Sequence, residues 1–475
     1  MKKKLMCIFL IAILVVSALA MFACNNSKYS AEFIVPEGGY DGSAVTIKFY
    51  HTMGANLREV LEEYIPLFNE LYPNITVEHQ QVGDYNAVRD QINTELTARN
   101  QPNIAYCYPD HVATYNMSNA VVQLDNLIAS ELEVTRADGS KEILGLTQAQ
   151  KDDFIKGYYE EGMQFGDGHM YSMPFSKSTE VLYYNKTFFE EHGLSVPTTW
   201  DEMEAVCAKI KEIDPNSIPL GYDSEDNWFI TMCEQLGSPY TSSDEDNHFV
   251  FNNETNRNFV KRFREWHKKG YVTTKTIFTK YTSGLFTELG ADSTKSYMSI
   301  GSSAGATHQR PEMVDNAYPF EVGITSIPQA NKQAPKAISQ GPSVCIFSKE
   351  NPQEVIASWL FVKFLTTSID FQAEFSMASG YVPVLKSVES HPVYAAFLAN
   401  ADGGDNIAAL SAKVCVEQQE AYFTSPAFNG SSTARDQVGY LMAQIMSEDV
   451  PAGQTVDQFI ANKFAAAIQE CEYSL

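Results

Sequence analysis

The first clear secondary-structure pattern in the chain begins at residue 45. Apolar and polar residues alternate there, and farther along the apolar residues recur at helical spacing. Residues 45–50 alternate as a strand does and are rich in β-branched and aromatic side chains. Helices are predicted over residues 57–72 and 85–99, and strands from Ile75 and over residues 102–106. The order strand, helix, strand, helix, strand predicts an α/β domain whose parallel strands are joined by right-handed crossovers.

The same patterns continue through the rest of the chain. Helices are predicted over residues 113–128 and 148–160, and a strand over residues 181–185. Thr199 or Asp201 is the predicted cap of the helix that follows. Further helices are predicted over residues 255–269, 352–366, 369–379 and 456–471. A folded body of about 450 residues exceeds what one hydrophobic core supports, so we expect two domains.

The N-terminal segment has the order of a secretory signal. Three lysines at positions 2–4 precede an apolar run over residues 5–16 and then small residues. That run is shorter than the roughly 20 residues of a membrane-spanning helix. Residues 1–23 are therefore a predicted signal peptide and Cys24 a predicted lipidation site, with an ordinary signal and an incidental cysteine as the alternative. Residues 24–44 are polar and predict a flexible tether between lipid and folded body.

The amino-acid composition restricts the kinds of molecule that the protein could bind. The formal net charge is −25, and removal of the three signal lysines makes it −28. Such an acidic chain argues against binding of nucleic acid or anionic lipid surfaces. Aromatic residues make up 12% of the chain. They form a core or, in a binding site, flat faces that suit the C–H-rich faces of sugars.

The cysteines indicate neither a metal nor a redox site. Beyond Cys7 and Cys24 the chain has six, none in a CxxC pair. They could pair in 15 ways, but apolar surroundings favour buried free thiols at Cys207 and Cys345. The six are Cys107, Cys207, Cys233, Cys345, Cys415 and Cys471. We expect no cofactor and no metal.

Several motifs, in order along the chain, match one protein family. Residues 47–54 read IKFYHTMG, residues 83–85 GDY and residues 380–383 GYVP. The most specific match is MPFSKSTEVLYYNK over residues 173–186, followed by PTTWDE over residues 197–202. Together they resemble the family 1 extracellular solute-binding proteins, the sugar-type receptors of ABC importers, and above all their glycerol-3-phosphate-binding branch.

The resemblance implies a two-lobed α/β fold with a hinged ligand cleft. It places residues 45–172 and 324–370 in the N-terminal lobe and residues 173–323 and 371–475 in the C-terminal lobe. It also implies an exported, lipid-anchored monomer that captures a carbohydrate outside the cell and delivers it to the permease subunits of an ABC importer.

Family ligand loops also suggest the site residues. His51 falls in the first loop, although packing explains such a histidine equally well. Tyr85 matches the second loop, and Asp110 lies near an acidic position, where it could instead cap a helix. Trp228 is expected to stack on the ligand, since it follows a polar stretch, or to lie in the core. The remaining candidates are Ser176, Lys177, Ser178, Asp226, Ser302, Ser303, Gln340, Gly341, Tyr381 and Phe428.

Phe428 marks a departure from the glycerol-3-phosphate branch. That branch has an arginine at this point after a Phe-Thr pair, which is Phe423-Thr424 here. Without the guanidinium fork, phosphate recognition loses its best donor, although Lys177 could compensate in part. The sequence therefore favours an uncharged mono- or oligosaccharide over the alternative, glycerol-3-phosphate or a glycerophosphodiester.

Two other functions compete with solute capture. Residues 301–305 read GSSAG and fit the G-x-S-x-G motif of serine hydrolases, with Ser303 as nucleophile. A hydrolase of that type needs a downstream histidine, and only His308 and His391 follow, without a hydrolase signature. We therefore expect no enzyme. A surface lipoprotein with an adhesive role stays open.

Overall fold

The computed structural model describes residues 31–165, 167–242, 247–287, 294–425 and 427–475. The predicted signal peptide and Cys24 lie outside these ranges. Within them, none of the helices combines the length and apolar character that a membrane crossing requires.

Strands and helices are numbered in chain order. The strands are β1 Val45–His51, β2 Ile75–Gln81, β3 Ile104–Cys107, β4 Glu133–Thr135, β5 Lys141–Ile143, β6 Met173–Pro174, β7 Ser178–Asn185, β8 Leu220–Tyr222, β9 Val272–Thr274, β10 Met298–Ser302, β11 Val322–Ser326, β12 Ala337–Gln340, β13 Ser343–Ile346 and β14 Tyr422–Phe423. The helices are α1 Ala55–Leu71, α2 Tyr85–Ala98, α3 Pro109–Asn116, α4 Asp125–Ile128, α5 Gln148–Asp153, α6 Lys156–Glu160, α7 Lys186–Glu191, α8 Trp200–Ile213, α9 Glu225–Leu236, α10 Glu254–Lys268, α11 Lys275–Phe278, α12 Ser283–Thr287, α13 Pro352–Thr367, α14 Ile369–Met377, α15 Pro392–Ala399, α16 Ile407–Glu417, α17 Ser431–Ser447 and α18 Val456–Glu472.

The first lobe is built on a five-stranded sheet in the order β2-β1-β3-β13-β6. β1 pairs in parallel with β2 and β3, as the sequence pattern predicts. β13 returns from much later in the chain and pairs antiparallel with β3 and β6. Helices α1, α13 and α14 cover one face and bury an aromatic core that includes Phe49, Phe68 and Phe361.

The second lobe has a seven-stranded sheet in which β7 is central. β7 pairs antiparallel with β10, β11 and β12, while β8 and β9 extend the sheet in parallel beyond β10. Helices α9, α10, α17 and α18 pack together around a second core that contains Trp228, Trp266 and Phe229. Two sheets, each packed against its own helices, confirm the predicted two-lobed α/β fold.

Three chain segments join the lobes and meet at Lys177. The first runs from β6 to β7, the second from β12 to β13 through Gly341, and the third passes Val382. The backbone N–H of Lys177 donates to Val382 O at 3.0 Å, and Val382 N–H donates to Lys177 O at 2.7 Å. Gly341 has φ +91°, and a Cβ there would lie 2.6 Å from Ser176 O, so this tight crossing requires glycine.

Three predicted boundaries need correction. Residues 371–377 belong to the first lobe, because α14 packs against α1 and α13. Residues 324–342 belong to the second lobe, because β11 and β12 both hydrogen bond to β7 of the second sheet. The segment from Ala31 to Ser43 is not a free tether. Phe33 and Tyr40 pack against the first core, and Asp41 N–H donates to Gln353 Oε1 at 3.0 Å.

Two long predicted helices are each broken in two. The helix predicted over residues 113–128 ends at Asn116, because Val121 leaves helical geometry to form a β-bridge with Phe347. The helix predicted over residues 148–160 breaks at Phe154, whose extended backbone forms a β-bridge with Leu385. In both places pairing with a distant segment replaces local helical bonds.

The predicted start of α8 is confirmed at Thr199. The Thr199 hydroxyl accepts from Glu202 N–H at 3.1 Å, and the Glu202 carboxylate in turn accepts from Thr199 N–H. This reciprocal pair satisfies two of the free N–H groups at the helix start, so Asp201 is not the cap.

Candidate functional site

A cavity of about 760 Å³ lies between the two lobes. Loops at the ends of β1, β3, β8 and β10 supply most of its lining, together with α11 and α12. The lining residues are Thr52, Tyr85, Tyr108, Ser178, Glu180, Asp223, Ser224, Asn227, Lys275, Tyr281, Ser283, Gly284, Thr287, Gly301, Ser302, Ala304, Gly305, His308, Gln309, Gln340 and Tyr381. Ligands of open α/β sheets bind at such strand ends, and the volume suits a small molecule.

Three tyrosines form an aromatic wall on the first-lobe side. Tyr85 begins α2 and Tyr108 precedes α3, and their rings stack with centroids 4.4 Å apart. The hydroxyls of Tyr85 and Tyr381 lie 3.3 Å apart. Such rings present flat apolar faces and polar edges at the same time, which suits a ligand with both C–H and hydroxyl groups.

The second-lobe side is a floor of polar side chains on β7 and β10. Ser178 and Glu180 alternate on β7 and therefore share a face. Ser302 pairs with Glu180 across the strands, and its hydroxyl donates to Ser178 Oγ at 3.4 Å. Gln340, opposite Ser178 in β12, completes this floor. The floor offers hydroxyl, amide and carboxyl groups to a ligand.

Glu180 lies almost fully buried in this floor. Its carboxyl accepts from the Tyr222 hydroxyl at 2.6 Å and from Asn227 Nδ2 at 3.3 Å. Burial raises the pKa of Glu180 to about 8, against the opposing effect of the Tyr222 hydrogen bond. The side chain is therefore mainly a neutral acid at pH 7, able to donate as well as accept.

Asp223 is a second carboxyl group in the cavity. Its Oδ1 accepts from Thr282 N at 2.6 Å and from Thr282 Oγ1 at 2.7 Å. A Cβ at residue 301 would lie 3.3 Å from Asp223 Oδ2 and from Gln309 Nε2 and would crowd both groups. Glycine at this position leaves room for them. Burial raises the pKa of Asp223. An anchored carboxyl of this kind accepts sugar hydroxyls well.

Positive charge in the lining is sparse. Among the described residues, Lys275 is the only lysine or arginine of the lining, and Lys275 Nζ lies 4.2 Å from the Tyr281 ring centroid. Burial lowers the pKa of Lys275, but attraction to Tyr281, Asp84 and Asp223 outweighs burial and leaves that pKa raised. His308 is the one histidine of the lining in the part of the chain that the structure describes.

Five of the residues suggested by the sequence line the cavity. They are Tyr85, Ser178, Ser302, Gln340 and Tyr381. The other nine lie elsewhere, for reasons that differ from one group to the next.

Trp228 is corrected from ligand platform to core residue. Its side chain is 0% exposed, and its ring stacks on Tyr222 at 4.5 Å and packs on Phe263 at 4.1 Å. Successive helical residues point about 100° apart, so α9 turns Asn227 to the cavity and Trp228 to the core.

The hinge holds three further candidates. Lys177 is 0% exposed, and its Nζ donates to Glu161 Oε1 at 2.7 Å and to Ser343 Oγ at 3.1 Å. Ser176 is buried beside it, and Gly341 forms the second crossing. These residues hold the lobes together rather than facing the cavity, so Lys177 does not replace the missing arginine.

His51 and Ser303 are enclosed by packing, and Phe428 lies partly buried against the second core. His51 is fully buried 3.0 Å from His79, and burial lowers the pKa of His51 to about 3. Ser303 is fully buried, and its hydroxyl accepts from Thr179 N at 3.2 Å. Phe428 stacks on His248 at 4.8 Å. A nucleophile elbow needs an exposed serine, so this site for Ser303 argues against the hydrolase.

Asp110 and Asp226 lie just outside the lining, close to Arg435. Asp226 Oδ2 is 2.7 Å from Arg435 Nε. Asp110 is buried at the start of α3, with Oδ2 lacking a hydrogen-bond partner among the described residues. Both carboxylates therefore attract Arg435, which was not among the candidate residues suggested by the sequence.

Sequence reasoning missed several lining residues that local patterns could reveal. Glu180 is two residues after Ser178, on the same face of the same strand. Tyr108 directly follows β3, and Asp223 directly follows β8, where strand ends meet the cleft. Lys275 likewise directly follows β9, whereas Tyr281 had no such signal, because it lies in the segment between α11 and α12.

No cluster of three or more potential metal ligands occurs in the described part of the chain. The six cysteines predicted to lack metal are all buried and free in the structure, as expected for Cys207 and Cys345.

Comparison with known proteins places the chain among binding proteins. The model of the bacterial extracellular solute-binding protein family matches residues 63–401. The sn-glycerol-3-phosphate-binding periplasmic protein UgpB of Shigella flexneri is 25% identical over 361 residues, which are 73% of this chain and 75% of the relative.

Solved structures share the fold at lower identity. UgpB from Mycobacterium tuberculosis, in complex with glycerophosphocholine, has a TM-score of 0.71 at 17% identity and covers 91% of this chain and 99% of its own. The GacH receptor of Streptomyces glaucescens, which binds acarbose, has a TM-score of 0.69 at 15% identity, with 90% and 99% covered. Since the family model spans most of the chain, this protein belongs to the bacterial extracellular solute-binding proteins.

Proposed function

We propose that this protein is the receptor of an ABC importer and captures a neutral carbohydrate or polyol in the cleft between its lobes. The observation that carries the proposal is the cavity lining. Four tyrosines and a set of serine, asparagine and glutamine side chains surround about 760 Å³ of space. Aromatic faces with a few placed polar groups are the usual means of binding a small hydroxyl-rich ligand.

Charge favours a neutral ligand over a phosphate ester. Within the described ranges, the cavity lining has two carboxyl groups, Asp223 and the mainly neutral Glu180, and one lysine, Lys275. A phosphate ester needs guanidinium or several N–H donors. Arg435, which contacts the lining residues Asn227 and Tyr108, is already paired with Asp226. GacH, which binds the oligosaccharide analogue acarbose, supports the same ligand class.

Glycerol-3-phosphate or a glycerophosphodiester is the second candidate. The ligands of two similar proteins favour it, since one UgpB binds sn-glycerol-3-phosphate and the other was solved with glycerophosphocholine. Lys275 and His308 would then be the groups nearest the phosphate.

A thermal-shift panel separates the two candidates. The panel contains glucose, maltose, maltotriose and ribitol on one side, and sn-glycerol-3-phosphate and glycerophosphocholine on the other. A cleft ligand stabilises the folded protein by mass action, so a neutral member is expected to raise the Tm. A Tm rise with the phosphate esters alone would establish the second candidate.

Catalysis is not part of the proposal. Ser303 is enclosed in the protein, and we expect Ser303→Ala to change no turnover. Esterase activity of the pure protein that disappeared in Ser303→Ala would overturn this expectation.

We further propose that Cys24 carries the lipid anchor of the exported protein. The residue follows the predicted signal peptide, and the chain reaches the folded lobe at about Ala31, seven residues later. Metabolic labelling with a fatty acid is expected to tag the wild type and to leave Cys24→Ser unlabelled. Labelling of both proteins, or of neither, would contradict the anchor.

A further inference from the structure

Arg435 lies behind the cavity and contacts a lining residue of each lobe. It projects from α17 of the second lobe, and its side chain is 17% exposed. Nε pairs with Asp226 Oδ2 at 2.7 Å, while Nη2 donates to Asn227 Oδ1. Its Cζ also lies 5.8 Å from the ring centroid of Tyr108, which belongs to the first lobe.

On the second-lobe side, Arg435 fixes the direction of an amide. Because Asn227 Oδ1 accepts from Arg435, Asn227 Nδ2 is turned away from the guanidinium and donates to Glu180 Oε1. Asn227 and Glu180 both line the cavity. A change at Arg435 therefore releases the amide from its fixed orientation.

On the first-lobe side, Arg435 supports the aromatic wall. A guanidinium near an aromatic ring attracts it, and Tyr108 stacks in turn on Tyr85. Burial disfavours the charge of Arg435, but attraction to Asp226 and Asp110 outweighs burial and raises the pKa of Arg435. Asp110 stands in the first lobe, buried and without a hydrogen-bond partner for Oδ2 among the described residues.

A second contact joins the same helices. Arg89 in α2 donates to Ser432 Oγ at 2.8 Å and pairs with Asp436 Oδ2 at 3.1 Å. The first turn of α17 is thus held against α2 and α3 across the mouth of the cleft.

We propose that Arg435 is a positioning residue that makes ligand affinity depend on lobe closure, by ordering Tyr108 in one lobe and Asn227 in the other. It contacts Tyr108 only when the lobes are together, so opening the cleft removes its support from the first-lobe wall, while its hydrogen bond to Asn227 stays within the second lobe. The inference rests in part on the proposed function, because it assigns these walls to ligand binding.

The test compares Arg435→Lys and Arg435→Gln with a matched control. Lysine keeps the charge beside Asp226 but lacks the fork that reaches Asn227 as well. The control is Arg262→Gln, since Arg262 also lies over an aromatic ring, Trp266, and pairs with carboxylates, but on the outer face of the second lobe.

Two measurements are made on each variant. Small-angle scattering of the ligand-free protein is expected to give a larger radius of gyration for both Arg435 variants and no change for the control. Titration with the member of the saccharide panel that binds the wild type is expected to show about tenfold or weaker binding in both. If Arg435 had a purely structural role, Arg435→Lys would have a lower Tm than the wild type but the same ligand affinity.

Unchanged radius of gyration and affinity in Arg435→Lys would overturn the inference. If no panel member binds the wild type, the carbohydrate proposal fails, and the radius of gyration alone decides the role of Arg435. If Arg435→Gln does not fold, Tyr108→Leu removes the same contact from the other lobe and is expected to enlarge the ligand-free protein in the same way.

Discussion

Replacing Lys177 by methionine tests whether the hinge depends on a buried ion pair. Lys177 and Glu161 are 0% and 3% exposed, and their charged atoms are 2.7 Å apart. Methionine has similar length but leaves the Glu161 carboxylate buried, with Oε2 already lacking a hydrogen-bond partner among the described residues. Breaking a buried pair in this way typically costs 3–5 kcal/mol, so we expect a loss of about 4 kcal/mol in the free energy of unfolding.

Urea denaturation followed by tryptophan fluorescence measures this loss. The control is Lys186→Met, because Lys186 pairs with Glu321 at 2.6 Å but with side chains 37% and 52% exposed. An exposed pair contributes about 0–1 kcal/mol. The double variant Lys177→Met/Glu161→Leu removes both charges and is expected to recover most of the lost stability.

Two results would refute this account of the hinge. One is a Lys177→Met variant no less stable than Lys186→Met. The other is a double variant as unstable as the single one, which would show that packing and not the uncompensated carboxylate causes the loss.

Three further predictions concern the second lobe and the cavity. Trp228→Leu is expected to lower the free energy of unfolding by about 3 kcal/mol, measured in urea, while ligand affinity in calorimetry stays within about twofold; a large loss of affinity in a stable variant would return Trp228 to the site. Tyr85→Ala is expected to weaken binding about tenfold or more in the same titration, through loss of stacking. In the folded protein the pKa of Glu180 is raised from 4.5 to about 8. The contribution of this group to the free energy of unfolding is therefore complete below pH 4.5 and is lost as the pH rises through about 8. Wild-type stability should therefore fall over this window relative to Glu180→Gln, and parallel pH profiles would contradict the raised pKa.

Local patterns in the sequence sufficed for the first elements of the first lobe, from β1 to α2. β1, α1, β2 and α2 follow each other closely, so alternation and helical spacing predict both the elements and their parallel order. The position of β13 could not be predicted in this way. Its partner β3 lies over 230 residues earlier in the chain, and no local pattern records such a pairing.

Side-chain direction explains which candidate residues the sequence placed well. Ser178 and Lys177 are neighbours, but strand residues alternate between faces, so Ser178 lines the cavity and Lys177 enters the hinge. The polar stretch before Trp228 lines the cavity, yet helical rotation in α9 carries the ring into the core. A loop assignment alone cannot make these distinctions.

Calorimetric titration of the wild-type protein at low and high sodium chloride concentration tests the central claim most directly. The ligands are the neutral saccharide or polyol selected by thermal shift and sn-glycerol-3-phosphate. The cavity described here predicts binding of the neutral ligand with a Kd that changes little with salt, because few ion pairs form, and little or no heat from glycerol-3-phosphate. Tight, strongly salt-dependent binding of glycerol-3-phosphate, with every saccharide and polyol inert, would contradict it.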